Sequence, residues 1–352
     1  MYVVASGDLA AMDAADGVTN GLVELDEAST FPNSWQLLGE ARMEAAGSGL
    51  SSLDDIDGDG LAELLVGAPY HDAAEDRVDG GAAYLLSGGN LAAADAADGD
   101  ADGLIDLRQV AALPGNWKFI GQRSMNVGQT VSSAGDLNGD NLVELIVGND
   151  GPYGPYIVSG AGLGSMDSAD GSLDRVIDLQ HAASPPNSWI ARDLSVSAAG
   201  DVNGDGLGDL VLGDSYYEKS YLLHGSELRR LPGVINSLTL DLRAAVWKFA
   251  GAGGDAVAAG DVDGDGLADL LIGKTGFRDR PGVVHVLLRA DLSVLDEADG
   301  AADRVVGLHN VAGDTDGDGV RNIVDQDDDG DGVRDQDDVL PLRYGIRSSS
   351  RS

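Results

Sequence analysis

Residues 55–63 read Asp55-Ile56-Asp57-Gly58-Asp59-Gly60-Leu61-Ala62-Glu63. The pattern returns as Asp136-Leu137-Asn138-Gly139-Asp140-Asn141-Leu142-Val143-Glu144 and as Asp201-Val202-Asn203-Gly204-Asp205-Gly206-Leu207-Gly208-Asp209. A last copy reads Asp261-Val262-Asp263-Gly264-Asp265-Gly266-Leu267-Ala268-Asp269. Side-chain oxygens at the first, third, fifth and ninth positions, with a backbone carbonyl at the seventh, suit a hard cation such as Ca²⁺. The candidate ligands are therefore Asp55, Asp57, Asp59, the Leu61 carbonyl and Glu63, with their counterparts in the other three loops. The sixth position has to turn sharply, which glycine or asparagine tolerates. Without metal, like charges at about 4 Å cost roughly 1 kcal/mol per pair in water and about 4 at a surface-like dielectric. A divalent cation removes that cost, so Ca²⁺ binding and folding should be linked.

Each acidic loop is flanked by strand-like segments. Upstream lie small, alternating stretches at 49–54, 131–135, 196–200 and 257–260. Downstream lie apolar runs ending in glycine, at 63–67, 144–148, 209–213 and 269–273. Short apolar runs bounded by turn residues suit buried strands. Third strands are expected at 82–87, 155–159, 220–224 and 283–288, and fourth strands at 103–107, 175–179, 238–242 and 304–308. A tryptophan segment follows three of the fourth strands and another precedes the first unit, giving Trp35, Trp117, Trp189 and Trp247 at equivalent places. Blade-to-blade packing is their expected role, with stacking on a sugar ring as the alternative. Repeats of roughly 60–80 residues with four short strands each are the pattern of β-propeller blades, so the expected fold is an all-β propeller of four-stranded antiparallel blades.

The repeat resembles the FG-GAP repeat of integrin α-subunit propellers and their bacterial relatives. Phe119-Ile120-Gly121 and Phe249-Ala250-Gly251 stand for the "FG", and Gly67-Ala68-Pro69 is a complete "GAP". In that family the acidic loop between first and second strands is the Ca²⁺ site, and all four loops match it. The resemblance covers residues 1–310 and implies an extracellular or cell-surface scaffold for adhesion or ligand binding, with structural Ca²⁺. Its partner would be a protein or polysaccharide at the cell surface. Tyr2–Ser6 matches a third strand and Gly21–Leu25 a fourth, so four full blades plus an N-terminal half blade are expected. Because the family commonly implies seven blades, the sequence is expected to be a fragment or to have a misplaced start.

Residues 311–341 resemble thrombospondin type 3 repeats, again a bacterial surface-protein pattern. Two loops can be drawn there: Asp314, Asp316, Asp318, the Val320 carbonyl, Asn322 and Asp325, then Asp327, Asp329, Asp331, the Val333 carbonyl, Asp335 and Asp338. Such a segment has too few apolar residues to pack a core and is ordered by metal or not at all. Residues 342–352 turn basic and do not continue the repeat.

Composition narrows the classes. The 352 residues carry a formal net charge of −38, which argues against nucleic-acid or anionic-membrane binding. The chain has no cysteine, so disulfides and thiolate chemistry are excluded. No run approaches the roughly 20 apolar residues of a membrane-spanning helix. The opening stretch lacks a basic segment followed by a long apolar core, so no signal peptide is expected within it. A second recurring signal, Asp-x-x-Asp-Gly, starts at Asp13, Asp95, Asp167 and Asp296 and reads as a turn, with Asp95–Asp102 as the best place for an accessory cation. No histidine pair has zinc-ligand spacing, no G-x-S-x-G elbow is present, and no P-loop is supported. His71, with Tyr70 and Asp72, is the one cluster worth testing. A propeller-based polysaccharide lyase or hydrolase, or a mere spacer of a larger surface protein, are the alternatives to a non-enzymatic scaffold.

Overall fold

The computed structural model describes residues 1–15, 23, 25–31, 33–149, 154–169, 171–181, 188–251, 256–274, 283–297 and 303–308. The C-terminal loops drawn from Asp314 to Asp338 lie outside them, as does most of the strand expected at 21–25. The chain divides into two compact units: Met1–Asp193 with Arg229–Ile235, and Leu194–Leu228 with residues from Asn236 onward.

In the first unit, sheet I is made of Leu50–Leu53, Glu63–Ala68, Ala82–Leu86 and Trp117–Ile120, each antiparallel to the next. Val176–Asp178 is added in parallel to the last of these. Sheet II repeats the plan with Val131–Gly135, Glu144–Val147, Tyr156–Ser159 and Ser188–Ala191, and Val234–Ile235 runs parallel at its edge. An N-terminal sheet holds only Tyr2–Val3 and Trp35–Leu38, antiparallel, with Leu104–Asp106 parallel beside them. In the second unit, sheet III comprises Ser195–Gly200, Asp209–Asp214, Lys219–His224 and Trp247–Ala250, with Val305–Gly307 parallel. Sheet IV has three described strands, Ala256–Gly260, Asp269–Lys274 and Val283–Leu287. The fold is all-β: antiparallel sheets with short helical turns between them.

The expected fourth strands differ in the structure. The fourth antiparallel strand of each complete sheet is the tryptophan segment itself. Segments 103–107, 175–179 and 304–308 do form strands, but they pair in parallel with the tryptophan strand of the preceding repeat. The stretch 238–242 is not a strand. Residues Ser237–Asp241 are helical, started by a capping box in which Asn236 accepts the Thr239 backbone N–H and the Thr239 hydroxyl accepts that of Asn236. In a strand Leu238, Leu240 and Leu242 would share one face. In the structure Leu240 is buried while Leu238, in the helix, and Leu242, just past its end, are exposed. Three sheets thus carry four antiparallel strands and sheet IV shows three among the described residues; in the N-terminal sheet the antiparallel partner of Tyr2–Val3 is the tryptophan strand, and the fourth strand expected at 21–25 lies mostly outside the described residues.

Alternation explains why the second and third strands read as unbroken apolar runs. In sheet I, Leu65 and Leu85 pack into a core shared with sheet II, beside Leu145, Val147 and Val158. Their neighbours Val66, Tyr84 and Leu86 point the other way, into a core with Leu37 and Ile105. Both faces are covered, so both must be apolar. In the second unit Val211, Leu222 and Phe249 pack with Leu270, Ile272 and Leu287 in the same manner. Trp189 is fully buried, and Trp117 and Trp247 pack at the margins of their cores, which supports a packing role. No helix among the described residues is long and apolar enough to cross a membrane.

Candidate metal centres

The four acidic loops share one backbone plan. Position 1 tethers the turn: Asp55 Oδ1 accepts the Gly58 N–H at 2.6 Å and Oδ2 that of Gly60 at 2.8 Å. Asp136, Asp201 and Asp261 do the same for Gly139 and Asn141, Gly204 and Gly206, and Gly264 and Gly266. Position 5 accepts the N–H of position 7 in every loop, at 2.8 to 3.0 Å. Position 9, at the start of the second strand, accepts the N–H of position 2: Ile56 to Glu63, Leu137 to Glu144, Val202 to Asp209 and Val262 to Asp269. Position 6 is left-handed in all four, with Asn141 at φ 66° where the others have glycine. The structure adds position 4 to this requirement: Gly58, Gly139, Gly204 and Gly264 all have φ between 76° and 83°. In three sheets a shift of register at the end of the first strand, next to Gly135, Gly200 or Gly260, precedes position 1.

The loops diverge in what their carboxylates do next. In loop I, ligand oxygens of Asp55, Asp57, Asp59 and Glu63 lie within 4.8 Å of one another. Glu63 is fully buried, and its Oε1 has no hydrogen-bond partner, while Oε2 takes the Ile56 N–H at 2.7 Å. Burial pushes the Glu63 carboxyl up to about 7, and the Asp57, Asp55 and Asp59 charges add to the rise. The Gly60 N–H, with those of Gly58 and Asp59, holds Asp55 below its usual range instead. A buried acceptor left free beside three aspartates is the environment a divalent cation relieves, and these residues fit Ca²⁺. In loop IV, Asp261, Asp263 and Asp265 converge within 4.8 Å. Asp269, one methylene shorter than glutamate, has its two oxygens on the backbone N–H groups of Val262 and Arg289, at 2.8 and 2.9 Å. Asp209 in loop III is similar, taking Val202 and Gly225 N–H groups and His224 Nδ1 at 3.0 Å. There Asn203 donates its amide to Asp205 at 3.1 Å. Loop II brings Asp136, Asp140 and Glu144 onto one plan, yet the Asn138 amide donates to Glu144 Oε1 and its oxygen faces Arg229 at 2.9 Å. Burial raises Glu144 to about 7 as well.

Each loop and its sheet carry further recurring groups. Residues 46–86 and 253–287 match the FG-GAP repeat. These two stretches hold loops I and IV together with their flanking strands. The chain is 27% identical to integrin alpha-2 of Bos taurus over 157 residues, covering 45% of this chain and 11% of that protein. It is 36% identical to integrin alpha pat-2 of Caenorhabditis briggsae over 106 residues, covering 28% of this chain and 8% of that protein. The chain thus spans about a tenth of the length of these curated relatives. FG-GAP repeats imply a β-propeller, and the four-stranded antiparallel sheets are of the kind such blades use.

The recurring Asp-x-x-Asp-Gly signal has a structural use. Asp95, Asp167 and Asp296 are buried and accept the N–H groups of Gly103, Arg175 and Val305, which open the parallel edge strands. Asp98 and Asp102 accept local N–H groups, and the stretch Asp95–Asp102 is not among the places where acidic groups converge in the described residues.

His71 has partners that its neighbours in sequence do not supply. Tyr70 is exposed, and Asp72 accepts the Asp79 N–H. His71 Nδ1 instead lies 2.9 Å from Glu44 Oε2, and Nε2 lies 3.1 Å from Lys118 Nζ. An ammonium only donates, so Nε2 accepts and Nδ1–H donates to Glu44. Lys118 also reaches Glu40 at 2.5 Å, and the buried Tyr84 hydroxyl donates to Glu40 at 2.9 Å. Burial pushes the Glu40 carboxyl up, but Lys118 and Tyr84 more than offset it, so its net displacement is downward from 4.5. A carboxyl whose folded pKa is lowered contributes stability that is full above its unfolded value and lost as pH falls through the folded one. Lys118→Met should therefore cost about 2 kcal/mol near pH 7, and the difference should shrink as the medium is acidified below the ordinary carboxylate range. Urea unfolding across a pH series checks this; a difference that does not change with pH would mean that Lys118 acts only by packing.

Proposed function

We propose that the protein is a Ca²⁺-stabilised, non-enzymatic propeller scaffold of the adhesion type, acting at the cell surface or outside the cell. The observation that carries the metal part is Glu63 Oε1, a buried acceptor without a partner set among Asp55, Asp57 and Asp59. The Leu61 carbonyl would complete this set. Corresponding positions of loops III and IV, Asp201 to Asp209 and Asp261 to Asp269, belong to the same proposal, as do the tail loops from Asp314 to Asp338. Bound Ca²⁺ would neutralise the crowded carboxylates and tie each first strand to its second.

Similarity to two integrin α chains supports the adhesion reading. A protein or polysaccharide partner is proposed to bind away from the metal loops. In sheet I the connection from second to third strand, residues 69–81, leaves the opposite end of the strands from loop I and exposes Tyr70 and Val78. A strongly acidic surface would disfavour polyanionic ligands.

Calorimetric titration of EDTA-stripped protein tests the metal part. Ca²⁺ is expected to bind with dissociation constants of about 10⁻⁴–10⁻³ M, and Asp57→Ala should lose the loop I site. Absence of binding up to about 10 mM Ca²⁺ would overturn the reading. For the adhesion part, the Ca²⁺-loaded protein coupled to a surface should retain one member of a panel of matrix proteins and neutral polysaccharides, and EDTA should release it.

A further inference from the structure

We propose that Arg229 is the built-in cation of loop II and holds that loop closed against Ca²⁺. The inference rests on the Ca²⁺ reading of the loops. Loop II has the same tethers as the others, so its backbone is equally formed. What differs is the set of partners of position 3, an asparagine here as in loop III. A guanidinium has only donors, so Arg229, 2.9 Å away, fixes which end of the Asn138 amide faces it: the oxygen. The amide nitrogen is then turned inward, where it donates to Glu144 Oε1 and lies 3.5 Å from the Ser159 hydroxyl. Both oxygens a cation would need from positions 3 and 9 are thereby engaged. In loop I the equivalent carboxylate, Glu63, keeps its Oε1 free. Among the described residues the acidic groups of loop II, like those of loop III, are absent from the two places where such groups converge within 4.8 Å.

The arginine arrives by a route that the repeat provides. The connection that follows each third strand begins Ser87-Gly88-Gly89-Asn90-Leu91, Ser159-Gly160-Ala161-Gly162-Leu163, His224-Gly225-Ser226-Glu227-Leu228 and Leu288-Arg289-Ala290-Asp291-Leu292. The second of these lies against loop I and the fourth against loop III, in each case the acidic loop of the repeat before. A Cβ on Gly160 would meet Ile56 of loop I at 2.8 Å, and Arg289 Nε donates to the Val202 carbonyl of loop III at 3.2 Å. The residue after the shared leucine is Gly164 in the connection over loop I, Arg229 over loop II and Ser293 over loop III. Of these three residues only Arg229 is a cation. A fixed positive charge near the position of a divalent ion weakens its binding by at least about tenfold, even at water-like screening.

The test compares wild type, Arg229→Ala and Arg229→Lys by Ca²⁺ calorimetry and by thermal melting in EDTA. Arg229→Ala is expected to bind one more Ca²⁺ per chain, or to tighten one site about tenfold, and to melt lower than wild type in EDTA because loop II loses its internal cation. Arg229→Lys, which keeps the charge, should stay close to wild type in both. If Arg229→Ala titrates and melts as wild type does, the proposal is wrong. If neither protein binds Ca²⁺ but Arg229→Ala still melts lower in EDTA, the Ca²⁺ reading of the loops fails while the Arg229 clamp stands.

Discussion

In millimolar Ca²⁺ the first unit is expected to melt about 5 °C and the second about 10 °C above their midpoints in excess EDTA, with Mg²⁺ giving much less. A ligand that binds only the folded state stabilises by RT ln(1 + [L]/Kd) per site, so a few millimolar Ca²⁺ on a site of about 10⁻⁴–10⁻³ M contributes roughly 1–2 kcal/mol. Loop I supplies about 1–2 kcal/mol to the first unit and loops III and IV about 2–4 kcal/mol to the second, and each kcal/mol moves the midpoint of a unit this size by about 2–4 °C. The source of the effect lies in the loops themselves. Asp55, Asp57, Asp59 and Glu63 bring their oxygens within 4.8 Å, and Glu63 is fully buried. Removing the cation leaves that charge concentrated at the joint between first and second strands. Mg²⁺ dehydrates reluctantly and demands a tighter octahedral set, so it should not substitute. Circular-dichroism melts in the two media decide the matter; coincident curves would reduce the acidic loops to turns held by the Asp55-type tethers alone.

These loops were legible in the sequence because everything they need is local. Position 1 bonds to N–H groups three and five residues on, and position 9 bonds back to position 2. The second and third strands were legible too, because coverage on both faces writes itself as an apolar run. What failed was pairing over distance. Segments 103–107 and 175–179 read as strands, but nothing in their residues says that they run parallel to Trp35–Leu38 and Trp117–Ile120 of the repeat before. The alternation at 238–242 suggested a strand, and the decisive residue was Asn236, just outside it, whose cap commits the next turn to helix. His71 drew attention for its neighbours, yet its partners Glu44 and Lys118 stand 27 and 47 residues away. Arg229 lies 91 residues from Asn138, beyond any local reading of the loop it faces.

Gly67→Ala is expected to cost more than about 3 kcal/mol, lowering the urea midpoint of the first unit far more than an ordinary surface change does. Gly67 opens the Gly67-Ala68-Pro69 triplet and sits in the second strand of sheet I, where its N–H donates to Gly49 and its carbonyl accepts from Gly47, both at 2.8 Å. A Cβ there would overlap the carbonyl oxygen and backbone of Gly128, far inside the 3.0 Å that real Cβ atoms essentially never breach. Neither side can give way. Gly67 is held by strand pairing, and Gly128 is held at φ 88° with its N–H on the Gly148 carbonyl at 2.9 Å. The obstacle is backbone rather than the end of a flexible side chain, so relief requires moving sheet I away from the segment that leads into sheet II. That movement would open the core in which Leu65, Phe119, Val131 and Val147 meet. Gly164→Ala serves as the control: it lies in the helix Leu163–Ala169 with nothing within 4 Å of a new Cβ. Alanine in a helix is favoured over glycine, so this variant should be neutral or more stable by up to about 1 kcal/mol. A Gly67→Ala protein unfolding at the wild-type urea concentration would show that the two backbones do not touch. The glycine of the triplet would then have to be explained by something other than close approach.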